Sequence, residues 1–195
     1  WIEFDRKLIR LVRGHLPREI QDSLDHPAVH LTLADPRRFL RQKGNPYDLI
    51  LVGMPEPASG QANRFYTEAF FAECAARLAP GGIVALRLAA AANIWTPVLI
   101  GRTASIQRAL DTVFPERLVL PGETLVITAS AVPLPDSPAL PAERLQQRGI
   151  ATRLVTPPYL RHLWTNDRRT DRERQLAAAD VPPNSDRRPV CYPYA

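Results

Sequence analysis

Residues 47–53 read Tyr47-Asp48-Leu49-Ile50-Leu51-Val52-Gly53, and the fold turns on them. The run is almost continuously apolar, and turn residues Gly44-Asn45-Pro46 precede it. A short apolar run without alternation predicts a strand buried on both faces, as in a parallel sheet. Gly53 opens a loop over 53–63, and the pattern over 64–78 predicts an amphipathic helix with Phe65, Phe70, Phe71 and Leu78 turned inward. Pro80-Gly81-Gly82 is a turn signal, and residues 83–88 read as the next strand. A strand, a helix and a strand in that order call for a crossover and parallel pairing.

The same alternation extends upstream. Residues 1–4 read as the end of a buried strand, and Asp5 is placed to cap a helix over 6–15, whose apolar side is Leu8, Ile9, Leu11 and Val12. Pro17 reads as its end. Residues 29–34 read as a second strand, followed by Asp35 and by Pro36 at a first helical turn, with Phe39 and Leu40 as anchors. Downstream, a helix over 103–113 precedes two strands, 117–120 and 124–131, joined at Pro121-Gly122-Glu123 as an antiparallel edge hairpin. The expected fold class is therefore α/β, a doubly wound, mainly parallel sheet. Its domain spans 1–132. From 133 the composition changes: Pro133, Pro135, Pro138 and Pro141 make a stiff linker, with a short helix at 142–148, a break at Pro157-Pro158 before residues 159–164, and a charged helix at 167–178 before a Pro-rich tail. Residues 133–195 are read as a small, mainly helical appendage, too thin in apolar residues for a core of its own.

Bulk composition narrows the function classes. The 195 residues are 45% hydrophobic and 23% charged, with a net charge of +5. The basic residues are nearly all arginine and scattered, Lys7 and Lys43 being the only lysines. The densest group, residues 168–174, is interleaved with Asp167, Asp171 and Glu173, which predicts a self-paired helix face, so no nucleic-acid partner is expected. The apolar stretch over 88–100 is broken by Asn93 and Pro97 and is too short to span a bilayer. Cys74 and Cys191 match no zinc or redox spacing; Cys74 lies on the apolar side of its helix, and a reducing compartment is the simple reading. His15, His26, His30 and His162 have no metal-ligand spacing, and Ser59 and Ser105 lack the setting of an activated nucleophile, so no metal is expected.

In an open α/β sheet, ligands bind outside the carboxyl ends of the strands. Glu3 ends the first strand; a carboxylate there accepts both hydroxyls of a ribose, or else is a surface acid near a helix N-terminus. Asp35 ends the second strand; it is suited to accept from a purine amine, or simply to cap a helix. Gly53-Met54-Pro55-Glu56-Pro57 ends the third; the glycine permits close ligand approach, and Glu56 is the only acid in the loop. Arg87, Asn93 and Trp95, near the end of the fourth strand, are ligand contacts or loop packing, the latter favoured. The spacing carries more than any one residue, because each acid follows an apolar strand to the same sheet edge.

These segments resemble the polyamine aminopropyltransferases, the spermidine synthase family. Ile2-Glu3-Phe4-Asp5 is similar to that family's strand ending in Glu-Leu-Asp, and Leu33-Ala34-Asp35 with Arg37-Arg38-Phe39-Leu40 to its Gly-Asp-Ala…Phe-Leu segment. Residues 47–52, then a Pro-bearing loop, then Phe65-Tyr66-Thr67-Glu68-Ala69-Phe70-Phe71 and Leu78-Ala79-Pro80-Gly81-Gly82-Ile83, follow its central signature in order. Asn184-Ser185-Asp186-Arg187-Arg188-Pro189 is similar to a tail motif of its bacterial, membrane-fused branch. The resemblance covers residues 1–88 best. It implies a Rossmann-like, methyltransferase-type fold whose first strand and Gly-rich loop belong before Trp1, so the 195-residue chain is expected to begin inside the fold and, in isolation, to be marginally stable or unfolded. It also implies an S-adenosyl-type co-substrate, decarboxylated S-adenosylmethionine or S-adenosylmethionine, with no tightly bound cofactor. Glu3 would hold the ribose, Asp35 the adenine amine, and Tyr66 would line the amine side. A polyamine partner, a homodimer, a cytoplasmic site and a membrane domain upstream are compatible with it.

The family carries two aspartates after the third strand. The first aligns with Gly53 and the second with Glu56. Aminopropyl transfer is attack by a neutral amine on a carbon beside a sulfonium, and an amine is mostly protonated at pH 7. The first aspartate takes that proton; glycine cannot, and losing a general base costs about 10²–10⁴-fold in rate. The functional expectation is an aminopropyltransferase-like domain with reduced or lost activity, in which Glu56 stands in as base. The alternatives are a non-catalytic nucleoside-binding regulatory domain of a membrane protein, or a methyltransferase.

Overall fold

The computed structural model describes residues 1–90, 95–122 and 124–191. Asn93 and Glu123 lie outside the described residues. Two compact units divide at Gly44, the first Trp1–Gly44 and the second Asn45–Ala195.

In the first unit, β1 (Ile2–Glu3) and β2 (Thr32–Leu33) form a two-stranded parallel sheet, with Ile2 opposite Thr32 and Glu3 opposite Leu33. Backbone bonds Thr32 N to Trp1 O (2.8 Å) and Ala34 N to Glu3 O (3.0 Å) close the ladder. The predicted strand over 29–34 is thus shorter than its apolar pattern. Helix α1 (Arg6–Arg13) begins at the predicted cap: Asp5 accepts the amides of Lys7 and Leu8. Helix α2 (Arg18–Leu24) was not foreseen. Pro17 is its N-cap, since a fixed φ and a missing N–H suit the head of a helix, while α1 has already ended at Gly14. Helix α3 (Pro36–Leu40) has Asp35 as N-cap and Pro36 in its first turn, as the sequence implies.

The second unit is built on β3 (Tyr47–Val52), β4 (Leu78–Ala89), β5 (Glu116–Leu120) and β6 (Thr124–Ser130), in the order β3-β4-β6-β5. β3 and β4 are parallel; β6 is antiparallel to both β4 and β5, which makes the expected hairpin with β6 inside the sheet. Before β4, α4 (Gly60–Asn63) falls within the expected loop, and the helix expected over 64–78 is shortened to α5 (Glu68–Ala75), with Leu78 already in β4. Thr67 sets the start of α5, since its hydroxyl accepts the Phe70 amide. α6 (Pro97–Asp111) starts earlier than expected, from Thr96 as cap and Pro97 in the first turn. α7 (Ala139–Gln147), α8 (Pro157–Thr165) and α9 (Asp167–Ala178) follow. The arginines of α9 pair within the helix, Arg169 with Glu173 and Arg174 with Asp171. Residues 133–191 fall in the same compact unit as β3–β6, with α9 packed on α6.

One sheet face is dry: Val52, Val84, Leu86, Leu88, Leu125, Ile127 and Ala129 are buried, and α5 packs on β4. The other face corrects the expectation for β3. Leu49 and Leu51, which share a face with Arg87 and Ala89, are 50% and 72% exposed. β3 pairs with β4 alone among the described residues, and an edge strand has fewer neighbours to cover it. Gly81, at φ 77°, and Gly82 allow the β3–β4 approach; a Cβ on Gly82 would fall 2.9 Å from the Ala79 and Tyr47 carbonyls. The architecture is α/β and Rossmann-like, with a mixed sheet. Among the described residues no helix is long and apolar enough to cross a membrane.

Candidate functional site

The first unit brings Glu3 and Asp35 to neighbouring strand ends. Glu3 is the last residue of β1 and sits opposite Leu33; Asp35 lies two residues beyond that partner. Glu3 is not a loose surface acid. Its Oε1 accepts the amides of Phe4 (2.8 Å) and Asp5 (2.9 Å), which fixes the carboxylate on its own turn and leaves Oε2 without a partner among the described residues. Asp35 Oδ1 accepts the Arg38 amide at 3.1 Å, so the capping role is real.

In the second unit, the parallel strands β3 and β4 end side by side, Val52 opposite Leu86. Gly53 follows, and a Cβ added to it would meet no heavy atom within 4 Å. Glu56 turns toward the end of β4. Its Oε1 accepts the Ala89 amide (2.5 Å) and its Oε2 pairs with the Arg102 guanidinium of α6 (2.8 Å). The carboxylate therefore clamps the 53–57 loop to β4 and α6. Tyr66 is wholly buried, and its hydroxyl donates to the Met54 (2.8 Å) and Pro55 (3.1 Å) carbonyls of the same loop. Burial pushes the Tyr66 hydroxyl far above its ordinary pKa, and the Glu56 carboxylate adds to the rise, while Arg102 and Arg87 oppose it. Tyr66 is thus a neutral donor over the whole physiological range.

Arg102 escaped the sequence reading, because nothing in its helical context signals a partner in a distant loop. Trp95 is a packing residue: it is buried, with the Arg172 guanidinium 4.6 Å from its ring centroid. Arg87 projects from the exposed face of β4. Cys74 is wholly buried on α5, as its helix face implied.

Residues 1–117 match the spermine/spermidine synthase domain. The chain is 32% identical over 114 residues to a polyamine aminopropyltransferase of Synechococcus sp. (strain JA-2-3B'a(2-13)), covering 58% of this chain and 35% of that protein. It is 30% identical over 147 residues to the polyamine aminopropyltransferase of Mycobacterium tuberculosis (strain ATCC 25618 / H37Rv), covering 72% of this chain and 28% of that one. The chain thus spans about a third of the length of these relatives. A crystal structure of spermidine synthase in complex with the transition-state analogue AdoDATO shares the fold, with a TM-score of 0.72 at 19% identity, over 90% of this chain and 60% of that one. Spermidine synthase from Thermotoga maritima gives 0.69 at 17% identity, over 90% and 59%.

Proposed function

The chain belongs to the spermine/spermidine synthase domain family, and from that premise we propose that it grips an S-adenosyl-type nucleoside, decarboxylated S-adenosylmethionine or its product methylthioadenosine, through Glu3 and Asp35. The observation that carries this reading is the parallel β1–β2 register, which sets the two acids at adjacent strand ends. The turn amides hold Glu3 in one orientation, so its outer oxygen is ordered before any ligand arrives. A like-folded spermidine synthase holds a transition-state analogue, which supports a nucleoside as the ligand class.

Turnover is the weaker half of the function. Gly53 supplies no base, and Glu56 already spends both oxygens on Ala89 and Arg102. That clamp favours a second reading, a domain that binds the nucleoside and releases little or no product. In either case Glu56 and Tyr66 shape the loop, and a polyamine is the acceptor class that the family suggests.

Calorimetry with methylthioadenosine tests the binding. The wild-type chain gives measurable heat, and Glu3→Gln, which keeps an oxygen for the turn amides but loses the charge, weakens affinity about 10–100-fold. No heat from the wild type overturns the proposal. Release of methylthioadenosine from decarboxylated S-adenosylmethionine and putrescine tests the chemistry. The open space at Gly53 accepts a side chain, so Gly53→Asp raises the rate by about 10²–10⁴-fold if a base is all that is missing. No gain with binding intact leaves the binding domain as the function.

A further inference from the structure

The stretch from Ala179 to Cys191 lies outside the matched family domain, residues 1–117, yet it makes a series of long-range polar contacts in the second unit. Arg108 donates to the Ala179 carbonyl, and Ser105 Oγ donates to the Pro182 carbonyl at 2.6 Å. Asn184 then spends nearly every polar group it has. Its amide donates to Ser105 O (3.1 Å), and its carbonyl accepts the Glu68 amide (3.0 Å). Its Nδ2 donates to the Tyr66 carbonyl (2.8 Å), and its Oδ1 accepts the Val190 amide (3.1 Å). Next to it, the Thr67 hydroxyl donates to Asp186 Oδ1 at 2.8 Å. Cys191 closes the strap with its thiol 3.8 Å from the Arg102 carbonyl. Asn184 is wholly buried, and an amide buried that fully is tolerated only when its donors and acceptors are met.

Two of the three residues that hold the 53–57 loop, Tyr66 and Arg102, are therefore held in turn by the tail. Asn184 grips the backbone of Tyr66, whose hydroxyl caps the Met54 and Pro55 carbonyls. Cys191 sits on the backbone of Arg102, whose guanidinium pairs with Glu56. We propose that residues 182–191 act as a strap that sets the conformation of the 53–57 loop, with Asn184 as its central positioning residue, acting through Tyr66. The role assigned to that loop rests on the proposed function; the mechanical coupling does not. A strap that merely fastened the appendage would need no contact with Tyr66, and it would come loose without moving the loop.

Hydrogen exchange followed by mass spectrometry, combined with alkylation of Cys191, tests the coupling on the intact chain. Asn184→Asp keeps the size and the acceptor for Val190 but replaces the donor to Tyr66 with an oxygen. Exchange at Gly53, Met54, Glu56 and Ala58 is expected to speed up tenfold or more, and Cys191 alkylation with it, while peptides over 83–88 and 125–129 keep wild-type rates. Faster Cys191 alkylation with unchanged loop exchange overturns the proposal, as does an unchanged loop with an unchanged thiol. If Asn184→Asp speeds exchange in the whole unit, Asp186→Ala, which removes the carboxylate that the Thr67 hydroxyl donates to, decides by the same readout. Tyr66→Phe is the internal control: it frees the loop carbonyls and speeds loop exchange with Cys191 still protected, and a loop unmoved by it also overturns the proposal. Methylthioadenosine calorimetry on the same samples keeps the two claims apart. A wild type that binds nothing sinks the nucleoside proposal and leaves the strap standing; a loop that ignores Asn184 does the reverse.

Discussion

The two compact units of this chain hold themselves together by different means. In Trp1–Gly44 neither α1 nor α2 has a buried residue, and large apolar side chains stand open, among them Trp1 (50% exposed) and Leu11 (66%). Order there comes from directional bonds: the short β1–β2 ladder, the Asp5 and Asp35 caps and the Glu3 turn. In the unit from Asn45, Phe71, Ile106, Leu110, Leu125 and Ile127 are all wholly buried. A buried side chain of that size contributes about 1.5–3 kcal/mol, against about 0.5–1.5 for a net hydrogen bond. The proposed nucleoside grip therefore sits on the less buried unit and the loop machinery on the better packed one. Ligand binding would then add its own order to the first unit.

Truncating the firm core is the largest perturbation. Phe71→Ala removes a wholly buried ring that lies tilted against Phe70 with centroids 5.8 Å apart, and should cost about 3–5 kcal/mol in denaturant unfolding of the second unit. A loss under 1 kcal/mol would mean that this core is no better packed than the first unit, and the contrast would fail.

Raising the pH probes the firm unit next. Burial lifts the Cys191 thiol to about 12 from an ordinary 9.0, with Ser105 and Arg102 opposing. Below pH 9 the thiol is protonated in folded and unfolded chains alike, so its contribution is fully present. Above pH 9 the unfolded chain sheds the proton and the folded chain keeps it, so stability falls by up to about 1.4 kcal/mol per pH unit toward 12. Thermal melts from pH 8 to pH 10.5 should show the decline, and Cys191→Ala should flatten part of it. Buried Tyr66 acts in the same direction from its ordinary value upward, so the flattening is incomplete.

What the sequence disclosed follows the same division. The bounds of β3 were legible, because turn residues bracket a short apolar run; its burial on both faces was misjudged, because the run does not say how many neighbours cover it. The caps Asp5 and Asp35 were legible because capping is local chemistry. β2 shrank to two residues because apolar character alone does not say how far a ladder extends. α2 was hidden because Pro17 was read as an end and not as a beginning. Of the candidate site, Glu3, Asp35, Gly53, Glu56 and Tyr66 could be named, but not what Glu56 and Tyr66 do. Arg102, Ala89 and Asn184 reach them across the chain, and such partners leave no spacing to read. The tail motif was visible as a motif; its grip on Tyr66 and Thr67 was not.

In the first unit the expected effects are smaller and local. Asp5→Ala removes the acceptor for Lys7 and Leu8 and should cost about 1 kcal/mol, read as roughly fivefold faster amide exchange in α1 with β4 unchanged. An equal change in β4 would mean that the two units unfold as one, and the comparison would lose its meaning.

The smallest effect is the sharpest test of how bare the first unit is. Leu11 lies on the apolar side of α1, the side that a globular helix normally buries, yet it is 66% exposed. If water covers that face in solution, Leu11→Gln removes almost no buried area. It should then shift the denaturation midpoint by no more than about 0.5 kcal/mol, and it should improve solubility. A loss above about 2 kcal/mol would show that Leu11 packs against something in solution, since only a buried leucine costs that much to replace. Repeating the measurement across a range of protein concentrations would separate the sources: a midpoint that rises with concentration identifies a second copy of the chain on the α1 face, and one that does not identifies cover from within the same chain.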